Sequence, residues 1–339
     1  MIDLRSDTVT KPTKAMLEAM TRAELGDDVY GEDPTVNQLQ EKCADLFGKD
    51  GALFVSSGSM GNLVSLLAHC QRGDEAIVGK LNHIFQWEQG SAASLGGISI
   101  HTIDNSANGM LPVNEIEAAI RYDDPHCPIS KLVCLENTQD GRVLSQKYTE
   151  DVGELCKEKG LLLHLDGARI MNAATALGTP VKALVAPVDS VQMCFSKGLA
   201  APVGSIVAGS KDFIRRAHRA RKAVGGSMRQ VGVLAAACIN ALDTMVERLQ
   251  EDHDNAKYFG EQLQTISSLV VEPVETNMVF IRMKNGQLGD LQNVLKSNGL
   301  LVSSMGQRLR LVTHYGIERD DLKKAVSIID AALKQTAKV

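Results

Sequence analysis

At 339 residues and a formal net charge of −5, the chain is long enough for one large and one small domain, and it carries no sustained basic stripe of the kind that binds nucleic acid. No apolar run approaches the roughly 20 residues that a membrane span requires. Seven cysteines without a Cys-x-x-Cys pair, and a start already charged at Met1-Ile2-Asp3-Leu4-Arg5, lead us to expect reduced thiols and a cytoplasmic protein.

In chain order, an extended arm from Ile2 to Thr10 precedes a predicted helix, Thr13 to Thr21. The loop Gly26-Asp27-Asp28-Val29-Tyr30-Gly31-Glu32-Asp33 is turn-rich and acidic with one aromatic, and fits either a surface loop or a subunit contact. Asp33-Pro34 is an N-cap followed by a first-turn proline and predicts a helix to about Phe47. Gly51 to Val55 reads as a strand that Ser56-Ser57-Gly58-Ser59-Met60-Gly61-Asn62 turns into an apolar helix, Leu63 to Cys70. Small residues at such a turn let amides and hydroxyls surround an anion at the positive end of the helix. The spacing matches neither the dinucleotide fingerprint nor the Walker lysine motif, so a lone phosphate site and a purely structural turn both fit.

Glu75 to Gly79 is the next strand, and His83 opens a helix that contains the single tryptophan, Trp87. An imidazole there can lie over a planar ligand or simply cap the helix. Strand and helix segments continue at Ile98 to Ile103, Val113 to Arg121, Leu132 to Leu135 ending in Glu136-Asn137-Thr138, and Tyr148 to Lys159. The rhythm predicts a parallel α/β sheet.

The central stretch is Leu161 to Gly198, where two apolar runs each end in one charged side chain: Leu161-Leu162-Leu163-His164-Leu165 stops at Asp166, and Ser190-Val191-Gln192-Met193-Cys194-Phe195 stops at Ser196-Lys197-Gly198. A helix, Ala168 to Leu177, separates them. Parallel strands buried on both faces have this form, and ligands sit off their carboxyl ends, so Asp166 and Lys197 are expected to face one crevice. An amine beside a carboxylate is what pyridoxal phosphate chemistry requires: the amine takes the cofactor aldehyde as a Schiff base, and the carboxylate keeps the pyridine nitrogen protonated. A surface lysine in a turn and a helix-capping aspartate also fit these two positions. Beyond them come a strand from Pro202 to Ala208, a basic helix Lys211 to Lys222, the glycine pair Gly225-Gly226, and a long helical tract from Val231 to about Ser267. The last part alternates strands (Met278 to Met283, Arg308 to His314) with helices (Leu288 to Asn298, Arg319 to Lys334). The expected division is an arm and large domain over 1–245 and a smaller domain over 246–339.

The chain resembles the threonine aldolases, pyridoxal phosphate enzymes of the aspartate aminotransferase fold. The resemblance rests on Asp3-Leu4-Arg5-Ser6-Asp7-Thr8-Val9-Thr10, Gly26-Asp27-Asp28-Val29-Tyr30-Gly31, Leu135-Glu136-Asn137-Thr138, His164-Leu165-Asp166-Gly167-Ala168-Arg169, Ser196-Lys197-Gly198-Leu199, Gly225-Gly226-Ser227-Met228-Arg229-Gln230 and Arg310-Leu311-Val312-Thr313-His314. It implies fold type I, with a large, mostly parallel-sheet domain and a small C-terminal α+β domain, assembled as a homotetramer of tight dimers with shared sites. It assigns Lys197 the Schiff base, Asp166 the pyridine nitrogen, Arg169 the phenolic oxygen and His83 the stacking position. Ser57, Gly58 and Ser59 would hold the phosphate with Lys222 of a neighbouring subunit, and Ser6, Arg169 and Arg310 the substrate carboxylate. The phosphate turn is Ser-Gly-Ser-Met-Gly-Asn here, where the family often has Thr-Gly-Thr-x-Ala-Asn.

The implied reaction is retro-aldol cleavage of L-threonine or L-allo-threonine to glycine and acetaldehyde. His83 and His126 are the candidates for the proton-accepting base, beside a water held by the phosphate. Serine hydroxymethyl transfer, β-elimination and an inactive cofactor-binding regulator are the competing readings. No ligand spacing indicates a metal.

Overall fold

The computed structural model describes residues 1–285 and 288–336. Its first helices follow their capping signals. Thr13 accepts the Met16 amide at 3.2 Å to start the helix Lys14–Arg22, and Asp33 accepts the Thr35 and Val36 amides at 3.1 and 3.0 Å to start Pro34–Phe47. The second oxygen of Asp33 accepts the Gly232 amide at 2.9 Å, and a Cβ at Gly232 would lie 2.2 Å from the same carboxylate. Glycine at that position therefore lets two helices meet at one capping side chain.

Seven strands form the main sheet: β1 (Gly51–Val55), β2 (Glu75–Gly79), β3 (Ser99–Ile103), β4 (Ser130–Glu136), β5 (Leu162–Asp166), β6 (Ser190–Cys194) and β7 (Ser205–Gly209). Their order across the sheet is β1-β7-β6-β5-β4-β2-β3, with β7 antiparallel to both neighbours and the others parallel. The strand expected from Pro202 thus starts three residues later and reverses direction. The chain turns straight back after Lys197 with no crossover helix, and only an antiparallel return fits so short a connection. The central strands are apolar along their length because helices cover both faces; Leu165, Val191 and Val133 are fully buried.

The helical tract expected from Val231 is two helices, Gly232–Thr244 and Leu249–Gln264. The second packs on a four-stranded antiparallel sheet ordered Ser303–Met305, Arg308–Val312, Met278–Met283, Leu269–Val271. The arm departs from its expected grouping with the large domain. Ile2–Asp3 pairs in parallel with Leu300–Leu301, and Leu4 is fully buried in the smaller core with Phe259, Leu309 and Leu311. Beyond Leu4 the arm reaches back to the main sheet through Asp7, so it straps the two parts together. Among the described residues no helix is long and apolar enough to cross a membrane.

Three buried histidines titrate against the fold. Burial lowers His69 to about 3 and His164 and His253 to about 4, from an ordinary 6.5. The unfolded chain therefore binds protons below about 6.5 that the folded chain refuses until about 4, so these groups remove stability as pH falls through that window. His253 accepts the Asn172 side-chain amide at 3.1 Å. His253→Gln should flatten the acid loss of stability by up to about 1.4 kcal/mol per pH unit, measured as denaturant midpoints between pH 7 and 4.5; equal slopes in the two proteins would refute the assignment.

Candidate active site

The carboxyl ends of β4, β5 and β6 converge, and each contributes chemistry. Asp166 ends β5, is almost fully buried, and accepts the Ala168 amide at 3.1 Å and the Asn62 side-chain amide at 2.8 Å. No cation is in salt-bridge contact with it among the described residues. Lys197 lies three residues beyond β6, partly exposed, in the tight return to β7; its carbonyl accepts the Thr10 hydroxyl at 3.1 Å. Its ammonium has no hydrogen-bond partner among the described residues, yet its charge is felt by both Asp7 and Glu136. The predicted convergence of Asp166 and Lys197 on one end of the sheet is therefore present.

Asn62 arrives because its helix comes unusually close to the sheet. That helix runs Gly58–His69, starting five residues earlier than the apolar pattern suggested, because Ser57 is its N-cap and accepts the Met60 amide at 3.2 Å. A Cβ at Gly58 would lie 2.8 Å from Cys194 Sγ, and one at Gly61 would lie 2.6 Å from Gln192 Cγ. Both glycines are needed for the helix to rest on β6 and deliver Asn62 to Asp166.

The same turn leaves the Gly58 and Ser59 amides without acceptors among the described residues, beside the exposed hydroxyls of Ser57 and Ser59. The turn Gly225-Gly226-Ser227 closes against it: a Cβ at Gly226 would meet Met60 Sδ at 2.4 Å, and the buried Ser227 hydroxyl has no partner. Lys222 is exposed in the last turn of Lys211–Ala223, which packs along Gly58–His69 of its own chain. Its neighbour Arg221, which no sequence signal singles out, is wholly buried and donates to the Phe54 carbonyl and to Asp28, each at 2.7 Å. That ion pair anchors the acidic loop at Asp28 and leaves Tyr30 75% exposed.

His83 begins a short helix, its amide donating to Glu136 at 2.7 Å and its Nδ1 meeting Glu88 at 2.8 Å. Glu88 also accepts the second Asn62 N–H at 2.8 Å, so one amide bridges two buried carboxylates. Burial raises the pKa of Glu88 against the pull of His83, and burial plus the Asp166 charge raise Glu136 well above the usual carboxylate range. His83, Glu88 and Asp166 bring ligand-type atoms within 4.8 Å of one another, but the Asn62 amide sits between the two carboxylates and donates one hydrogen bond to each.

Arg169 donates Nε and one Nη to Asp7 at 2.7 and 2.5 Å in a fork-to-fork pair. Burial alone would raise the Asp7 pKa, but the charges of Arg169 and Lys197 hold it well below the ordinary range. Ser6 caps the turn at Thr8 and lies against Asp7. Arg310, mostly buried, spends one Nη on the Arg5 carbonyl at 3.2 Å and leaves Nε unpartnered. Arg310, Arg169, His83 and Glu136 line a cavity of about 360 Å³ with Trp87 and Thr138, whose buried hydroxyl is also unpartnered. A larger cavity of about 1070 Å³ lies on the small domain, remote from these groups. His126 stands apart: it precedes β4 at the end opposite Glu136, exposed and hydrogen bonded to Asp124 at 2.7 Å. Within one chain it does not join the others.

Sequence reasoning passed over Asn62, Glu88 and Asp7 as site residues. Asn62 falls four residues after Gly58, one turn along the same helix face, and Glu88 follows His83 by five; these spacings were the available signals. The set fits pyridoxal phosphate: a buried carboxylate without a cation for a protonated ring nitrogen, an unpaired lysine, and a glycine-serine cradle at a helix N-terminus.

A family model described as beta-eliminating lyase matches residues 3–285. The low-specificity L-threonine aldolase of Escherichia coli O157:H7 is 48% identical over 327 residues, covering 96% of this chain and 98% of that protein. Low-specificity L-threonine aldolase 1 of Arabidopsis thaliana is 47% identical over 346 residues, covering 98% and 96%. A solved structure of Leishmania major threonine aldolase superposes with a TM-score of 0.86 at 21% identity, covering 98% and 99%; Sphingomonas wittichii serine palmitoyltransferase superposes at 0.76 and 17%, covering 100% and 88%, and these two likenesses bear on the fold. With the geometry and these full-length matches in agreement, the chain belongs to the beta-eliminating lyase family, among its low-specificity L-threonine aldolases.

Proposed function

We propose that this chain uses pyridoxal phosphate to cleave L-threonine and L-allo-threonine to glycine and acetaldehyde, and that its site residues divide the work as follows. The observation that carries the reading is the convergence of a buried, cation-free Asp166 and an unpaired Lys197 at one end of the sheet. When bound, the cofactor supplies an electron-accepting ring conjugated to the substrate α-carbon. Lys197 would hold its aldehyde, Asp166 would keep the proton on its ring nitrogen, Arg169 would serve its phenolic oxygen, and Ser57, Gly58 and Ser59 would hold its phosphate. Lys222 reaches the phosphate site of a neighbouring subunit in a homotetramer; the exposed Trp87, Tyr30, Phe85 and Leu81 support such association. Seven unpaired cysteines suit a reducing compartment such as the cytoplasm.

Arg310 is the main clamp for the substrate carboxylate, because Arg169 already gives two donors to Asp7 while Arg310 has no acidic partner among the described residues; Ser6 completes that side. Fixing the carboxylate orients the Cα–Cβ bond for cleavage. With Nδ1 held by Glu88, His83 presents Nε2 to the cavity as acceptor of the β-hydroxyl proton.

Acetaldehyde and glycine release from the four threonine stereoisomers tests the function. Cleavage of the two L isomers is expected, whereas ammonia and a keto acid from serine would establish β-elimination, and serine cleavage that requires tetrahydrofolate would establish hydroxymethyl transfer. Lys197→Ala should abolish the visible absorbance of the bound cofactor and the activity; retention of that band would place the aldehyde elsewhere. Arg310→Ala should raise KM for L-threonine at least about tenfold through loss of a charge-assisted bond, and an unchanged KM would overturn the clamp. His83→Ala should lower kcat by about 10² fold or more. A larger loss in His126→Ala than in His83→Ala would transfer the base to His126 arriving from another subunit.

A further inference from the structure

Behind Asp166 a line of polar side chains crosses the interior of the large domain. Asn62 Oδ1 meets His164 Nε2 at 3.2 Å, His164 Nδ1 meets the Ser190 hydroxyl at 2.8 Å, and that hydroxyl meets His69 Nε2 at 2.7 Å. His69 stacks on Phe213 with centroids 4.7 Å apart, and its Nδ1 is buried without a partner among the described residues. All four residues are buried, none more than 5% exposed. His164 lies on β5 two residues before Asp166, on the same face of the sheet; Ser190 begins β6, and Asn62 and His69 stand two turns apart on the helix Gly58–His69.

The proton positions follow from the carboxylate end. Asn62 must aim its NH2 at Asp166 and Glu88, because a carbonyl there would face two oxygen acceptors. Its carbonyl is then an acceptor, so His164 donates from Nε2. A neutral His164 has a bare Nδ1, which takes the Ser190 proton. The Ser190 oxygen then accepts from His69 Nε2, leaving His69 Nδ1 bare, and that is the one ring nitrogen of the two histidines with no partner. Burial lowers both histidines well below neutral pH, consistent with a single ring proton on each.

We propose that His69, Ser190, His164 and Asn62 form a one-way hydrogen-bond relay, every donor pointing toward Asp166, that positions the carboxylate serving the cofactor's ring nitrogen. This inference rests on the role given above to Asp166. The relay makes the Asn62 flip state single-valued: reversing the amide would require His164 to change tautomer and Ser190 to turn its proton away in the same event. His164, Ser190 and His69 are positioning residues, since none touches the cavity that holds substrate.

Nitrogen NMR of histidine-labelled chain, with its cofactor and freed of it, reads the tautomers directly. His164 should carry its proton on Nε2 in both forms, and a proton on Nδ1 would overturn the relay. Ser190→Ala should weaken cofactor affinity about tenfold, as expected for a lost buried hydrogen bond, shift the pH midpoint of the bound cofactor's visible absorbance, and lower kcat without changing KM for L-threonine. Ser190→Thr, which keeps the hydroxyl, should restore all three. A merely structural loss would lower the thermal midpoint and leave the absorbance midpoint in place, and that result would also overturn the proposal. If Ser190→Ala does not fold, the tautomer of His164 in the unaltered chain still decides. A chain that binds no pyridoxal phosphate would sink the proposed function instead, while the His164 tautomer would still test the relay on its own.

Discussion

The site depends on one amide that keeps two buried carboxylates apart. Asp166 and Glu88 both point into the volume between the helix Gly58–His69 and the ends of the central strands, where an unpaired charge costs several kcal/mol or more. Asn62 gives each a hydrogen at 2.8 Å. The hydrogen bonds serve the two acids unequally: Asp166 receives a backbone amide as well, while Glu88 has one oxygen buried with no donor and its pKa is raised. The arrangement thus separates a carboxylate with a donor on each oxygen from one that tolerates its charge only through His83 and the shared amide. Deleting the Asn62 amide would leave both facing each other with no donor between them.

Such placement requires helix and sheet to approach more closely than side chains normally permit, which explains the composition of the turn before Asn62. Gly58 and Gly61 present bare backbone to Cys194 and Gln192 on β6, and either Cβ would fall inside contact distance. An alanine at Gly61 would press on Gln192, whose side chain already donates to Cys194 at 3.1 Å. The glycine therefore makes room for the Gln192 side chain on the facing strand. It is part of a local fit and does not mark a weaker helix.

Strand ends, caps and the order of elements were legible because they depend on neighbours in sequence. Asp33-Pro34 started its helix where the N-cap rule put it, and Asp166 and Lys197 ended their apolar runs at the same end of the sheet. Partners distant in sequence were not legible. Asp7 and Arg169 stand 162 positions apart, Arg221 and Asp28 193, and nothing local distinguishes a buried arginine on a basic helix from its solvated neighbours. The reversal of β7 followed from a connection too short for a crossover, a signal present in the spacing from Lys197 to Ser205 but masked by the regular strand and helix rhythm. The arm was misplaced for a similar reason: Ile2 and Leu300 are joined by pairing alone.

The position of the arm bears on the cavity between the two arginines. Leu4 is sealed in the small-domain core, Arg5 offers its carbonyl to Arg310, and Asp7 grips Arg169 above the main sheet. A few residues of arm thus fix the distance between an arginine from each part of the molecule. On the cavity wall Arg169 is matched by Asp7, Asp140 is matched by Arg308, and the pKa of Glu136 is raised by burial and by the Asp166 charge. Arg310 remains, lowered in pKa by burial and by Arg169 against the pull of Asp7 and Asp140, with an unpartnered Nε and no salt bridge among the described residues. In the reading proposed above, this cation in a cavity of about 360 Å³ would meet the single carboxylate of the substrate, and the arm that carries the Arg5 carbonyl sets its position relative to Arg169.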